Sequence, residues 1–330
     1  DDSPFVELGE GTFIALTETF RERLRELDGL LQMRGQQYEL NPLAGLRIDE
    51  LAGELAELEA DQSWAKSMQR IQQAQRIRPR VPNTFQADLR AYQKEGFRWM
   101  MRLAEWGVGG CLADDMGLGK TLQSLAIVLK RASDGPSLVV APTSVSTNWC
   151  TEVRRFTPTL KIKQISGKDR LETITGLGKF DLLITTYTLL QQEIDHLSKV
   201  QWQTIILDEA QAIKNAATKR SQAAMSLKGG IKLITTGTPI ENHLGELWNL
   251  FNFINPGLLG SHHQFNEKFA IPIERYNNRE ARLKLKKLIR PFILRRIKSQ
   301  VLEELPPRTE VTLDVTMTPE EMHFYEALRQ

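Results

Sequence analysis

The stretch that most constrains this fold runs from Cys111 to Gln123. A three-residue apolar run, Cys111 to Ala113, gives way to glycines at 117 and 119. Lys120, Thr121 and an apolar-periodic segment through Leu122, Leu125, Ala126 and Leu129 follow. The order is strand, tight loop, helix. Glycine suits such a loop because the backbone must take angles closed to other residues and bring its N–H groups against a polyphosphate. On that reading Met116, Gly117, Leu118 and Gly119 wrap a nucleotide's phosphates, Lys120 reaches the β- and γ-phosphates, and Thr121 holds Mg²⁺ through its hydroxyl. The helix N-terminus adds its positive dipole end. The generic phosphate-loop pattern has glycine five positions before Gly119, where this chain has Asp114. A glycine-rich turn capped by a lysine is the plain alternative, so a second signal is required.

Ile205-Ile206-Leu207-Asp208-Glu209-Ala210 supplies it, an apolar run ending in two carboxylates. It predicts a buried strand with acids at its C-terminal tip, the edge of an open α/β sheet where ligands bind. One carboxylate, Asp208, is assigned to the magnesium shell; its neighbour Glu209 orients and deprotonates the attacking water. Lys120, Asp208 and Glu209 together make a nucleoside-triphosphatase.

Other segments repeat the format of apolar strand and hydroxyl-rich tip. Ser137 to Ala141 is stopped by Pro142 and followed by Thr143-Ser144-Val145-Ser146-Thr147-Asn148-Trp149, a turn opening a helix. Hydroxyls and free N–H groups there suit phosphate contacts without base preference; ordinary N-capping by Thr143 or Ser144 is the bland alternative. Leu160 to Ile165, Asp181 to Tyr187 with Thr186 at its tip, and Lys232 to Pro239 are further strands. Helical runs between them give the alternation of an α/β fold, a parallel sheet with helices on both faces. All the polar tips fall on one edge, where a Thr236-Gly237-Thr238 turn could sense the γ-phosphate.

Around this core the chain is less regular. Residues 5–16 read as a small hairpin. Phe20, Leu24, Leu27 and Leu31 fall on one helical face, as do Ile48, Leu51, Leu55 and Leu58. Gln69 to Pro82 is the linker candidate. The expected division is an N-terminal accessory region (1–80), a nucleotide-binding core (81–240), a helical protrusion with a basic linker (241–308) and the start of another unit (309–330). Leu89 to Met100 forms an amphipathic helix whose Gln93 amide, a donor and an acceptor, suits the edge of adenine, although a surface role is the simpler reading. In the protrusion, Leu283, Leu285, Leu288 and Ile289 anchor a basic helix. Pro306-Pro307 ends the helical part, and Val311 to Thr316 alternates as a strand.

Charge is distributed unevenly. The net charge is +2, yet residues 1–60 hold 14 Asp/Glu against 5 Lys/Arg, and residues 275–298 hold 10 Lys/Arg against Glu280 alone. The acidic faces read as solvated surface; the basic run favours phosphate-backbone contact over mere solubility. No run of about 18 apolar residues exists to span a membrane, and Asp1-Asp2-Ser3-Pro4 is no signal peptide. The missing initiator Met points to a trimmed fragment. Two cysteines without metal-ligand spacing fit a reducing cytoplasm.

With these residues assembled, the chain resembles the Swi/Snf-type ATPases of helicase superfamily 2, in particular bacterial members, over roughly residues 85–325. The family's adenine motif is similar to Leu89–Met100, which makes Arg90 and Gln93 the base-binding candidates. Its phosphate loop is similar to Ala113–Thr121, including the aspartate at 114. Ala141-Pro142-Thr143 and Thr185-Thr186-Tyr187 match its tracking motifs. Asp208-Glu209-Ala210-Gln211 matches its acidic box, with Ile213-Lys214-Asn215 following. Thr236-Gly237-Thr238-Pro239-Ile240-Glu241-Asn242 matches its coupling motif, Glu246-Leu247-Trp248 comes next, and Pro291 to Arg296 resembles the segment leading out of the first lobe.

The resemblance implies a RecA-like first lobe that uses ATP and Mg²⁺ and moves on double-stranded DNA to remodel a DNA-bound protein target, in the bacterial cytoplasm on the nucleoid. Thr143, Ser144, Thr186, Tyr187, Lys214 and Asn215 become the nucleic-acid candidates. It also implies that a second RecA-like lobe, with its arginine finger, is missing after Gln330. Such a finger is worth about 10³ to 10⁵ in rate, so the isolated lobe is expected to be nearly inactive. A strand-separating helicase of the same superfamily and a nucleotide-gated interaction module with an acidic recruiting region are the competing readings.

Overall fold

The computed structural model describes residues 5–7, 13–15, 17, 31–34, 37–40, 43, 62–165, 169–237, 243–301 and 317–329. Strands β1 (Phe5–Glu7) and β2 (Phe13–Ala15) pair antiparallel, forming the hairpin expected there. β3 (Leu31–Arg34) and β4 (Gln37–Leu40) form a second antiparallel pair. This corrects Leu31, which sits opposite Leu40 in that ladder and not on a helical face. Phe20, Leu24, Leu27 and the segment from Ile48 to Leu58 lie outside the described residues.

The supposed linker is mostly helix. α1 (Gln62–Arg76) buries Met68, Ile71 and Ala74 against α2 (Ala91–Trp106), with Ile71 only 2% exposed. The apolar residues recur every third position under a Gln- and Arg-rich exterior, enough for one buried stripe. Only the segment after Arg76 is irregular.

Seven strands make the central sheet: β5 (Gly110–Leu112), β6 (Ser137–Ala141), β7 (Lys161–Gln164), β8 (Asp181–Thr186), β9 (Trp202–Asp208), β10 (Gly229–Thr235) and β11 (Ile293–Leu294). Their order is β11-β5-β10-β9-β6-β8-β7, and every pairing is parallel. Parallel strands buried on both faces need continuous apolar runs. Leu138 to Ala141, Leu182-Leu183 and Ile205 to Leu207 accordingly have no exposure. Cys111 lies in the same core, and burial pushes its thiol up to about 12. Helices α3 (Lys120–Arg131) and α4 (Thr143–Phe156) leave the tips of β5 and β6.

Beyond β10 the described residues are mostly helical, with α5 (Leu244–Ile254) and α6 (Arg279–Ile289). Two features differ. β11 adds a strand to the sheet beside β5, where only helix and exit segment were expected. Leu283 is 57% exposed, so α6 is anchored by Ala281, Leu285, Leu288 and Ile289 instead. The chain divides into two compact units at Ile297 and Lys298, the second carrying α7 (Pro319–Arg329). Pro306, Pro307 and Val311 to Thr316 lie outside the described residues.

Candidate functional site

Register brings the two key segments together. Thr235, the last residue of β10, stands opposite Leu112 of β5 on one side and Asp208 of β9 on the other. The glycine loop leaves β5 two residues after Leu112, so loop and acidic tip flank one strand at the sheet's carboxyl edge, two strand spacings or about 10 Å apart.

The loop has the backbone its sequence requires. Gly117 (φ 84°) and Gly119 (φ 74°) are left-handed, and α3 begins directly at Lys120. At Gly119 a Cβ would stand 2.5 Å from the Gln93 amide nitrogen, so a side chain there is excluded by both conformation and space. Lys120 Nζ donates to the carbonyls of Asp114 (2.7 Å) and Asp115 (3.4 Å), holding the ammonium over the loop. Thr121, in the first turn of α3, is half-buried, Leu118 is buried, and Met116 is 71% exposed. The Leu118 carbonyl is a joint, accepting from Tyr92 Oη (3.1 Å), Gln93 Nε2 (3.2 Å) and Gln123 Nε2 (3.4 Å).

Gln93 is therefore buried, not a surface residue. Its Oε1 accepts from the Arg90 backbone N–H at 2.9 Å and its Nε2 serves the loop. This amide braces the loop; the exposed Arg90 begins the same helix.

Asp208 is 8% exposed, and its carboxylate is oriented by three donors. Trp149 Nε1 donates to Oδ2 at 2.8 Å, while Thr235 Oγ1 (2.5 Å) and the Glu209 N–H (3.0 Å) donate to Oδ1. A carboxylate has about four acceptor sites, so Oδ2 keeps capacity for a hard cation. A threonine hydroxyl and one carboxylate are oxygen donors of the kind magnesium takes, together with substrate phosphates and water. Among the described residues no cluster of three or more His, Cys, Asp or Glu offers an all-protein metal cage. The donor set thus fits Mg²⁺ held jointly with a nucleotide.

Glu209 has φ 48°, a left-handed angle unusual for a side-chain-bearing residue, and this turns the chain sharply past the strand tip. Its Oε2 accepts from Gln211 Nε2 at 2.7 Å, and Gln211 Oε1 accepts from Thr236 Oγ1 at 3.2 Å. The Thr236 N–H in turn donates to the Leu112 carbonyl, and Gly237 lies beside Met116. The acidic box, the coupling turn and the glycine loop are thereby linked, while Thr238 lies outside the described residues.

The nucleic-acid candidates separate. Thr143 and Ser144 are exposed in the first turn of α4, and Pro142 occupies the cap position, so the capping alternative does not apply. Thr186 accepts from the Leu189 N–H and caps a short helix. Tyr187 is a correction: it is buried, and its hydroxyl donates to the Asp208 carbonyl at 2.8 Å, so it supports the strand tip from within. Burial, then the charges of Asp208 and Glu209, push its phenol well above the ordinary tyrosine value. Lys214 is ion-paired with Glu246 at 3.2 Å, and Asn215 is exposed, with its Oδ1 accepting from the Ala217 N–H. Arg296, counted above in the basic run, is buried. Trp149 and Arg296 are the site residues that sequence reasoning missed.

The model of the SNF2-related domain matches residues 92–330. The putative ATP-dependent helicase/translocase YwqA of Bacillus subtilis is 42% identical over 258 residues, covering 76% of this chain and 28% of that protein. The chromatin-remodeling ATPase INO80 of Arabidopsis thaliana is 38% identical over 273 residues, 76% of this chain and 18% of its own. Among solved structures, the Sulfolobus solfataricus SWI2/SNF2 ATPase core in complex with dsDNA matches with TM-score 0.64 and 41% identity, over 76% of this chain and 54% of that one. The chain thus spans less than a third of these curated relatives, and its parallel sheet is the RecA-like sheet of the SWI2/SNF2 core. It belongs to the SNF2-related domain family.

Proposed function

We propose that the protein carrying this chain is a DNA-dependent ATPase that moves along double-stranded DNA and remodels a DNA-bound protein. The observation that carries the reading is the register at Thr235, which sets the glycine loop and the Asp208-Glu209 tip on either side of one strand.

In this reading Lys120 turns its ammonium from the loop carbonyls to the β- and γ-phosphates of ATP, and Gly117 and Gly119 let the loop N–H groups approach them. Bound magnesium supplies charge neutralisation at the phosphates; Thr121 and Asp208 would hold it. Glu209 takes the proton of the attacking water, with Gln211 fixing its carboxylate. Gln211 and Thr236 carry the state of the acidic box to the coupling turn. Thr143, Ser144, Thr186 and Asn215 line the tips proposed to meet phosphate backbone. Support for DNA comes from the exposed hydroxyls of α4 and from the likeness to a core solved with dsDNA. Among the described residues no helix is long and apolar enough to cross a membrane, and the proposed place of action is the bacterial cytoplasm, on the nucleoid.

The test is ATP hydrolysis by the full-length protein with and without duplex DNA. Hydrolysis should rise with duplex, and Glu209→Gln should abolish it while leaving ATP affinity nearly intact. Equal loss of binding in that variant would overturn the base assignment, and separation of a forked duplex would favour a strand-separating helicase.

A further inference from the structure

We infer that Arg296 sets the geometry of the nucleotide loop and that Asp114, standing where the generic pattern has glycine, is its counter-ion and not a phosphate or metal contact. The inference rests on the nucleotide reading above.

Asp114 has no solvent exposure, and both its carboxylate oxygens are occupied. Oδ1 accepts from the Arg296 backbone N–H (3.1 Å) and Nε (2.9 Å); Oδ2 accepts from Arg296 Nη2 and from Gln123 Nε2 (3.2 Å). The same guanidinium reaches two other elements. Nη1 donates to the Tyr92 carbonyl in α2, the cation lies 5.1 Å from the Tyr92 ring, and Nη2 donates to Gln123 Oε1 in α3 at 2.8 Å. One planar fork, with donors fixed in direction, therefore joins the loop's first residue, the helix after the loop and the helix bearing Gln93.

The backbone reinforces the junction. The Ala113 N–H donates to the Leu294 carbonyl (2.8 Å) and the Asp115 N–H to the Arg296 carbonyl (3.0 Å), so the β5–β11 ladder continues into the loop. Gln123 passes the arrangement on, its Nε2 also reaching the carbonyls of Leu118 and Gly119. Gly96 has its explanation here: in the middle of α2, a Cβ would come within 1.9 Å of Gln123 Oε1 and 2.9 Å of Arg296 Nη2.

Without Arg296 the Asp114 carboxylate would be buried and short of a cation. The nearest replacement is Lys120, whose ammonium already touches the Asp114 carbonyl. An aspartate that captured Lys120 would withdraw it from phosphate. Without Asp114 the guanidinium is stranded instead. Restoring the generic glycine, Asp114→Gly, should therefore weaken nucleotide binding, the opposite of what motif matching suggests.

The experiment measures the Kd of a fluorescent ATP analogue with Mg²⁺, the Kd of duplex DNA and the Tm in the full-length protein. Asp114→Gly, Asp114→Asn, Arg296→Met and Gly96→Ala should each raise the nucleotide Kd by about tenfold or more and leave the DNA Kd within about twofold. Asp114→Asn combined with Arg296→Met, which removes both charges, should recover most of the nucleotide affinity. If Arg296→Met does not fold, Arg296→Lys, which keeps the charge and loses the fork, carries the same test. Single variants with lowered Tm and unchanged nucleotide Kd would overturn the inference, as would a double variant as weak as the two singles combined. A parent protein that binds no nucleotide would sink the nucleotide reading and this inference together.

Discussion

At the scale of single residues, orientation matters as much as identity. Asp208 is held by Trp149 from α4, by Thr235 from β10 and by the N–H of Glu209, with Tyr187 securing its carbonyl. Trp149→Phe keeps most of the buried ring and removes one donor to a buried carboxylate. Its loss should lower stability by about 1.5–3 kcal/mol, as for hydrogen bonds to charged groups, and raise the Mg²⁺ concentration needed for half-maximal ATP hydrolysis. Urea unfolding and a magnesium titration would check it; a variant matching the parent in both would refute the role. The carboxylates, the lysine and the glycines were legible in the sequence because their chemistry sits in contiguous stretches. Their supports were not. Trp149 and Asp208 are 59 positions apart, and Arg296 and Asp114 are 182 apart. Tyr187 differs from its expectation for the same reason: its place at a strand tip suggests exposure, whereas burial depends on what packs over it.

At the scale of elements, five strands of the central sheet announce themselves as apolar runs with polar tips, and β7, Lys-Ile-Lys-Gln at the sheet's edge, is read from its apolar flanks Leu160 and Ile165. β11 does not, because two residues carry no periodicity and the pairing partner, β5, lies far upstream. α1 is obscured by composition, since Gln and Arg dominate the outside of a helix whose inner stripe, among the described residues, is Met68, Ile71 and Ala74 with Trp64 partly buried beside them. Ile71 tests whether that helix belongs to the core. Ile71→Ala should lower unfolding stability by about 2–4 kcal/mol through lost burial and a residual cavity, seen as a lower urea midpoint at unchanged m-value. A change under about 0.5 kcal/mol, typical of surface positions, would mean that α1 is a loose strap.

At the scale of the whole molecule, charge is the feature most easily read and most easily overcounted. Of the ten basic residues in 275–298, Arg296 is buried in an ion pair and Lys284 is bonded to Glu280 at 2.9 Å. Arg279, Arg282 and Lys286 of α6 and Arg290 just after it remain exposed at spacings of three and four, forming a row that flanks the buried stripe. If this stripe meets DNA, replacing Arg279, Arg282 and Lys286 with Gln should reduce the slope of log K against log salt by about 2.7, at roughly 0.9 per phosphate contact. An unchanged slope, measured by titrating duplex DNA at several salt concentrations, would reduce the stripe to a solubilising face.

On the proposed function, the strand order bears on how ATP hydrolysis would be coupled to movement on DNA. Three strand spacings, about 14 Å, separate β5 from β6, which leads into the hydroxyls of α4. No single side chain straddles that gap, so the proposed sites for ATP and for duplex DNA would be gripped by different elements. The hydrogen bonds of Thr235, Thr236 and Gln211 run sideways along the rim of the sheet, so on the proposed function damage confined to it is expected to leave ATP hydrolysis and DNA binding intact and to abolish movement.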